Sequence, residues 1–78
     1  MKDMLTNIAR AIVDKPDEVV VVERDDGELI HLELSVAPGD MGKVIGKQGK
    51  IAKAIRTLIK AVSTKESEKK VVVDIIDK

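Results

Sequence analysis

Phenylalanine, tyrosine and tryptophan are all absent from this 78-residue sequence, and so is cysteine. Without aromatic rings nothing can stack a nucleobase or a sugar. That excludes the RNA platforms built on stacked aromatics, such as the RRM and most OB-folds. The core has to be assembled from Val, Ile, Leu, Ala and Met. Without cysteine there is no disulfide framework, no thiolate metal site and no thiol nucleophile. Long apolar runs are missing as well: the longest aliphatic stretch is the four valines at 19–22, far short of a membrane span. Asp3 stands early and no apolar segment follows it of the kind a secretory signal needs. The expectation is a cytoplasmic domain.

Apolar residues make up 44% and charged residues 36%, a balance that reads as a globular domain rather than a disordered tail. The length predicts a single domain over residues 1–78. A chain of this size buries only about 60% of the surface it exposes when unfolded, so its core is small. Formal charge sums to zero, but unevenly. Residues 1–40 carry four basic and ten acidic side chains. Residues 41–65 carry seven basic ones (Lys43, Lys47, Lys50, Lys53, Arg56, Lys60 and Lys65) and no acid. A local field of that kind attracts an anion even when the molecule as a whole is neutral.

From Met4 to Val13 the apolar residues Leu5, Ile8, Ala9, Ile12 and Val13 recur at helical spacing. Pro16 ends that helix, because proline disfavours helical geometry in the residue before it. The valines at 19–22 read as a strand. Asp26-Gly27 marks a tight hairpin turn that needs positive φ. Ile30, Leu32, Leu34 and Val36 alternate with His31, Glu33 and Ser35, a second strand with one buried face. Pro38-Gly39 breaks it, and Asp40 stands where a helix N-cap belongs. A short helix, Met41–Ile45, leads into Gly46-Lys47-Gln48-Gly49. A longer helix follows, with Ile51, Ile55, Leu58, Ile59 and Val62 on one face. Residues 63–68 form a polar connection, and a last strand runs from Val71 to Ile76. The hairpin makes the first two strands antiparallel, and the long crossover makes the last strand parallel to the second and right-handed. The predicted fold is α+β in two layers, order α-β-β-α-α-β: a three-stranded mixed sheet with helices on one face.

Gly46 and Gly49, three apart between helices, give a sharp turn whose backbone can approach a ligand without Cβ interference. The helix that starts there points its free N–H groups and positive dipole end at the turn, so the turn can hold a phosphate chain. On a helical wheel, Lys50, Lys53, Arg56 and Lys60 fall roughly 100° to 220° from the Ile55 direction, a basic stripe on the outer face. Rival phosphate motifs fail on spacing. A P-loop needs four residues between its glycines and a Ser or Thr after the Lys; here Gly42 is followed by three residues and Gln48 takes the hydroxyl position. The dinucleotide fingerprint needs glycine where Val44 sits. Gly39-Asp40-Met41-Gly42 has the same glycine spacing, but its carboxylate repels phosphate, so it reads as turn and cap.

The segment Gly42-Lys43-Val44-Ile45-Gly46-Lys47-Gln48-Gly49-Lys50-Ile51, with a basic helix after it, resembles the KH domain, whose signature is an Ile-Gly-x-x-Gly loop between two helices. The extra helix and strand before the β-α-α-β core resemble the type II form, and the whole chain is similar to the small stand-alone bacterial KH proteins. One departure is Ala52, which stands where the usual pattern has a larger aliphatic residue, with Ile51 before it. The resemblance implies that Gly46, Lys47, Gln48 and Gly49 contact a nucleic-acid backbone, with Ile45, Ile51 and Ala52 lining a groove under about four bases. Charge and spacing assign Lys43, Lys50 and Lys53 to phosphates. The resemblance further implies single-stranded RNA binding, RNA chaperone activity or post-transcriptional regulation, and a link to cell elongation and cell-wall synthesis. Pairing with itself or with a larger KH-containing protein is implied too, the apolar residues Ile59, Val62, Val72 and Ile76 being available for it. The alternative is a KH-fold interaction module that does not bind RNA.

No catalytic constellation is legible, so the chain does not read as an enzyme, and no cofactor or metal is implied. His31, the lone histidine, falls on a polar strand face as ordinary surface. Turn chemistry accounts for Asp25 and Asp26. Asp74 and Asp77 read as solvated edge charges, and Met1, Met4 and Met41 as core filling or mobile surface.

Overall fold

The computed structural model describes residues 2–66 and 70–76, and the side chains of 64–66 are outside that description. Helix α1 (Lys2–Ile12) is followed by a 3-10 turn (Pro16–Glu18), β1 (Val20–Asp25) and β2 (Leu29–Ser35). A second 3-10 turn (Pro38–Asp40) opens α2 (Met41–Ile45), a third (Lys47–Gly49) joins it to α3 (Lys50–Glu66), and β3 (Lys70–Ile75) closes the order. Strand β2 is central, antiparallel to β1 with Arg24 opposite His31, and parallel to β3 with Leu32 opposite Val73.

One face of the sheet is buried, as period-2 alternation requires. Val21 of β1, Leu32 and Leu34 of β2, and Val71 and Val73 of β3 pack with Leu5 and Ala9 of α1, Val44 of α2, and Ile55 and Ile59 of α3. Each large side chain of this set stabilises the fold by about 1.5–3 kcal/mol through removal from water. The opposite face carries Val20 and Val22 in solvent. Among the described residues no helix is long and apolar enough to cross a membrane.

Three expectations are corrected. The long helix does not give way to a connection at Ser63: it runs to Glu66, and residues 67 and 68 of the expected connection lie outside the described residues, as do Met1 and Asp77. Its buried side is Ala52, Ile55, Ile59 and Ser63, whereas Ile51 and Leu58 stand in solvent and Val62 is half-buried. The helix is thus rolled by roughly 60° from the face its apolar residues suggest. The sheet is only three strands wide and cannot cover so broad an apolar arc. Ser63 tolerates burial because its hydroxyl donates to the Lys60 carbonyl at 2.8 Å.

The third correction concerns Asp40, which makes no side-chain cap on α2. Its carboxylate is buried at 3% exposure and accepts the backbone N–H groups of Asp14 (3.3 Å) and Lys15 (3.0 Å). A long-range contact has displaced the local one, and it ties the α1–β1 connection to the start of α2.

The hairpin turn is built by carboxylates. Asp26 N–H bonds the Leu29 carbonyl at 3.1 Å, and Gly27 takes φ +97°. The Asp25 carboxylate accepts the Gly27 N–H, and Asp26 accepts those of Glu28 and Leu29. His31 is less exposed than a surface residue: its side chain is 17% accessible, with Nε2 3.0 Å from Asp26 and Nδ1 3.8 Å from Asp74. The Leu29 N–H bond, then His31, hold the Asp26 carboxyl down at about 2 from its ordinary 3.8. Since the folded value lies below the unfolded one, the stability this group contributes is complete above pH 3.8 and is lost as pH falls through about 2. Carboxyl NMR titration is expected to place the Asp26 midpoint near 2. In His31→Ala it should rise only part of the way back, because the Leu29 donor remains.

Candidate nucleic-acid interface

Helix α2 is one short turn, and it stops where Gly46 takes φ +75°, ψ 177°, a region open only to glycine. Gly46 N–H still bonds the Gly42 carbonyl at 2.8 Å, so the chain turns outward directly from a helical turn. Gln48 follows at φ +56° and Gly49 at φ +74°, and α3 begins at the next residue. No side chain caps this turn, so the positive end of the α3 dipole faces an open loop.

The two glycines are needed for different reasons. A Cβ on Gly46 would stand 2.6 Å from Cγ1 of Ile51, so the first glycine lets Ile51 fold back over the loop. A Cβ on Gly49 would meet nothing within 4 Å. There the requirement is purely conformational, and the space beside the backbone is open to a ligand.

The sequence-predicted residues converge on this loop. Ile45 and Ile51 flank it with 37% and 39% of their surface exposed. Lys47, Gln48, Lys50 and Lys53 are exposed, and the three lysines have no carboxylate partner among the described residues. Two of the predicted residues stand differently from the others. Ala52 is 5% exposed and belongs to the core rather than to a groove floor. Lys43 is already paired: its Nζ lies 2.8 Å from Asp14 Oδ2, and that hydrogen bond, then the charge of Asp14, raises its pKa.

Sequence reasoning missed two further features. Arg56 does not follow the outward stripe; its Nε donates to the Val73 carbonyl at 3.3 Å. It closes one side of a groove of about 400 Å³ between α3 and the open edge of β3, lined by Arg56, Lys60 and residues 70–74. The spacing of basic residues along α3 holds no sign of this bend, because the acceptor is on a distant strand. Asp14 lies far from Lys43 in sequence and had no motif to mark it. A second, shallower apolar patch lies on the outer side of α3, where Ala54, Leu58 and Ala61 are bordered by Lys50, Lys53 and Thr57.

Three helices and a three-stranded mixed sheet in the order α-β-β-α-α-β define a type II KH fold. The sequence model of the KhpA/KhpB KH domain matches residues 2–75. The RNA-binding protein KhpA of Clostridium acetobutylicum is 63% identical over 76 residues, 97% of this chain and 100% of its own. That of Halalkalibacterium halodurans is 56% identical over 77 residues, 99% of this chain and 100% of its own. This chain belongs to the KhpA/KhpB KH-domain family.

Gly46→Ala is expected to destabilise the fold more than Gly49→Ala. The first meets both a forbidden backbone region and the Ile51 side chain, the second only a left-handed φ costing about 1–2 kcal/mol. Gly49→Asn, which tolerates that φ, should melt close to the parent. Urea denaturation of the three variants measures the order.

Proposed function

We propose that this chain is a single KH domain over residues 1–78 that binds single-stranded RNA and performs no chemistry on it. The observation that carries the reading is the uncapped loop of residues 46–49, open to solvent beside Gly49, with Lys47, Lys50 and Lys53 at it having no carboxylate partner among the described residues. Backbone phosphates lie along the loop, with Gly46, Lys47, Gln48 and Gly49 against the strand and Lys43, Lys50 and Lys53 neutralising charge. Ile45 and Ile51 supply the apolar contact under the bases. The edge groove beside Arg56 and Lys60 extends that surface along β3. The names of the relatives, RNA-binding protein KhpA, support RNA as the ligand. Cytoplasmic action as an RNA chaperone or post-transcriptional regulator, linked to cell elongation and cell-wall synthesis, rests on resemblance to the stand-alone bacterial KH proteins.

One loop without aromatic stacking binds weakly, and two linked grooves gain affinity through effective concentration. The same protein therefore acts as a homodimer or as a heterodimer with a larger KhpB-like KH protein. The patch on the outer side of α3 supports this, because Leu58 leaves 46% of its surface in water between Ala54 and Ala61. Ile59, offered above as a contact, is 0% exposed and is core instead. The apolar patch also favours the second reading, a KH-fold interaction module that does not bind RNA.

Three measurements test these statements. Replacing Lys47 and Gln48 together by Asp should weaken single-stranded RNA binding at least about tenfold, with the melting temperature little changed, since both side chains are exposed. Lys50→Ala or Lys53→Ala should each flatten the slope of log K against log salt by about 0.7. Unchanged affinity in the double variant overturns the RNA reading. In sedimentation, Leu58→Asp should dissociate the dimer while remaining folded, and a parent that is monomeric alone and with a KhpB-like protein overturns the pairing.

A further inference from the structure

Lys43 differs from the other lysines at the loop in that its ammonium already has an anionic partner, Asp14, at 2.8 Å. The partner comes from the α1–β1 connection, and Asp40 holds that connection in place. The Asp40 carboxylate takes the N–H groups of Asp14 and Lys15, so the backbone at Asp14 is anchored independently of its side chain. Asp14 itself is 74% exposed and Lys43 45%, so the pair stands in water, where it is weak and screened by salt. A weak pair, on backbone anchored by a buried carboxylate, sits where the strand is to bind.

We propose that Asp14 is a built-in competitor for phosphate at Lys43, positioned by Asp40, which an RNA strand must displace to gain that lysine. The inference rests on the RNA-binding reading above and adds to it an order of engagement. Lys47, Lys50 and Lys53 meet the strand first, because no carboxylate among the described residues occupies them. Lys43 joins when a phosphate, held close by those contacts, outcompetes the carboxylate. An isolated anion has no such help and leaves the pair closed. The carboxylate thus favours an extended chain of phosphates over single anions. It does so at the cost of some affinity for every strand.

The test is a double-mutant cycle read by titrating the full chain with a short mixed-sequence RNA strand at several salt concentrations. Asp14→Asn keeps the backbone N–H that Asp40 holds, so the fold is expected to survive, and a thermal melt checks it. It should tighten RNA binding about two- to fivefold and steepen the salt slope by up to about 0.7. In the Lys43→Ala background the same Asp14→Asn change should do nothing, and Lys43→Ala should cost more in the Asp14→Asn protein than in the parent. A gain that persists without Lys43 reports general charge and overturns the proposal. Unaltered affinity in Asp14→Asn against a parent that binds RNA overturns the competitor alone. A parent that binds no RNA overturns the RNA-binding reading and the competitor with it.

Discussion

Asp40 is nearly sealed from water, and polar oxygens buried there need hydrogen bonds in place of their hydration. Two backbone N–H groups, from Asp14 and Lys15, supply them. That requirement joins segments that are far apart in sequence: the chain leaving α1 and the turn that opens α2. Strand β1 starts beyond one of them, and the glycine loop is one short helix beyond the other. Were the carboxylate removed, each N–H left unpaired would cost about 1–3 kcal/mol, and α2, a single turn long, would be held chiefly by the burial of Val44 and the packing of Met41. The position of the loop relative to the sheet depends on this contact together with the buried Val44 of α2.

The loop is a compromise between packing and access. Gly46 is filled from behind by Ile51, while Gly49 is left bare. The first glycine fixes where α3 starts, and the second keeps the backbone approachable. The basic residues divide in a similar way. Lys47, Lys50 and Lys53 have no carboxylate partner among the described residues, Arg56 is drawn onto the edge of β3, and Lys43 is held by Asp14. A single run of positive charge in the sequence has become three kinds of cation, which differ in what must be released before they bind a phosphate.

Small size explains the apolar surface. With three strands and one long helix there is no second layer to cover Val20 and Val22 on the open sheet face, or Leu58 on the outside of α3. Isolated aliphatics of this kind are common on any protein. Leu58 stands apart because Ala54 and Ala61 extend it into a continuous apolar strip with lysines along its border, and such rims mark association surfaces.

Local rules made most of the fold legible. Alternation placed Leu32, Leu34 and Val36 inside, positive φ at Gly27 closed the hairpin, and α2 falls at Met41–Ile45 as the pattern reads. The candidate loop was legible for the same reason, since a glycine pair between helices is a property of neighbours in the chain. Which side of α3 is buried was not, because two apolar arcs on one helix compete and only the width of the sheet chooses between them. Nor were the partners of charged groups. Asp40 has the spacing of a cap, yet its carboxylate turns to a distant backbone, because burial there rewards two N–H donors that no local turn offers. Sequence alone determined the elements, their order and the loop that joins α2 to α3. Tertiary structure decided which charges remain free, because pairing depends on distance in space and on access to water, and neither is written in the spacing of residues.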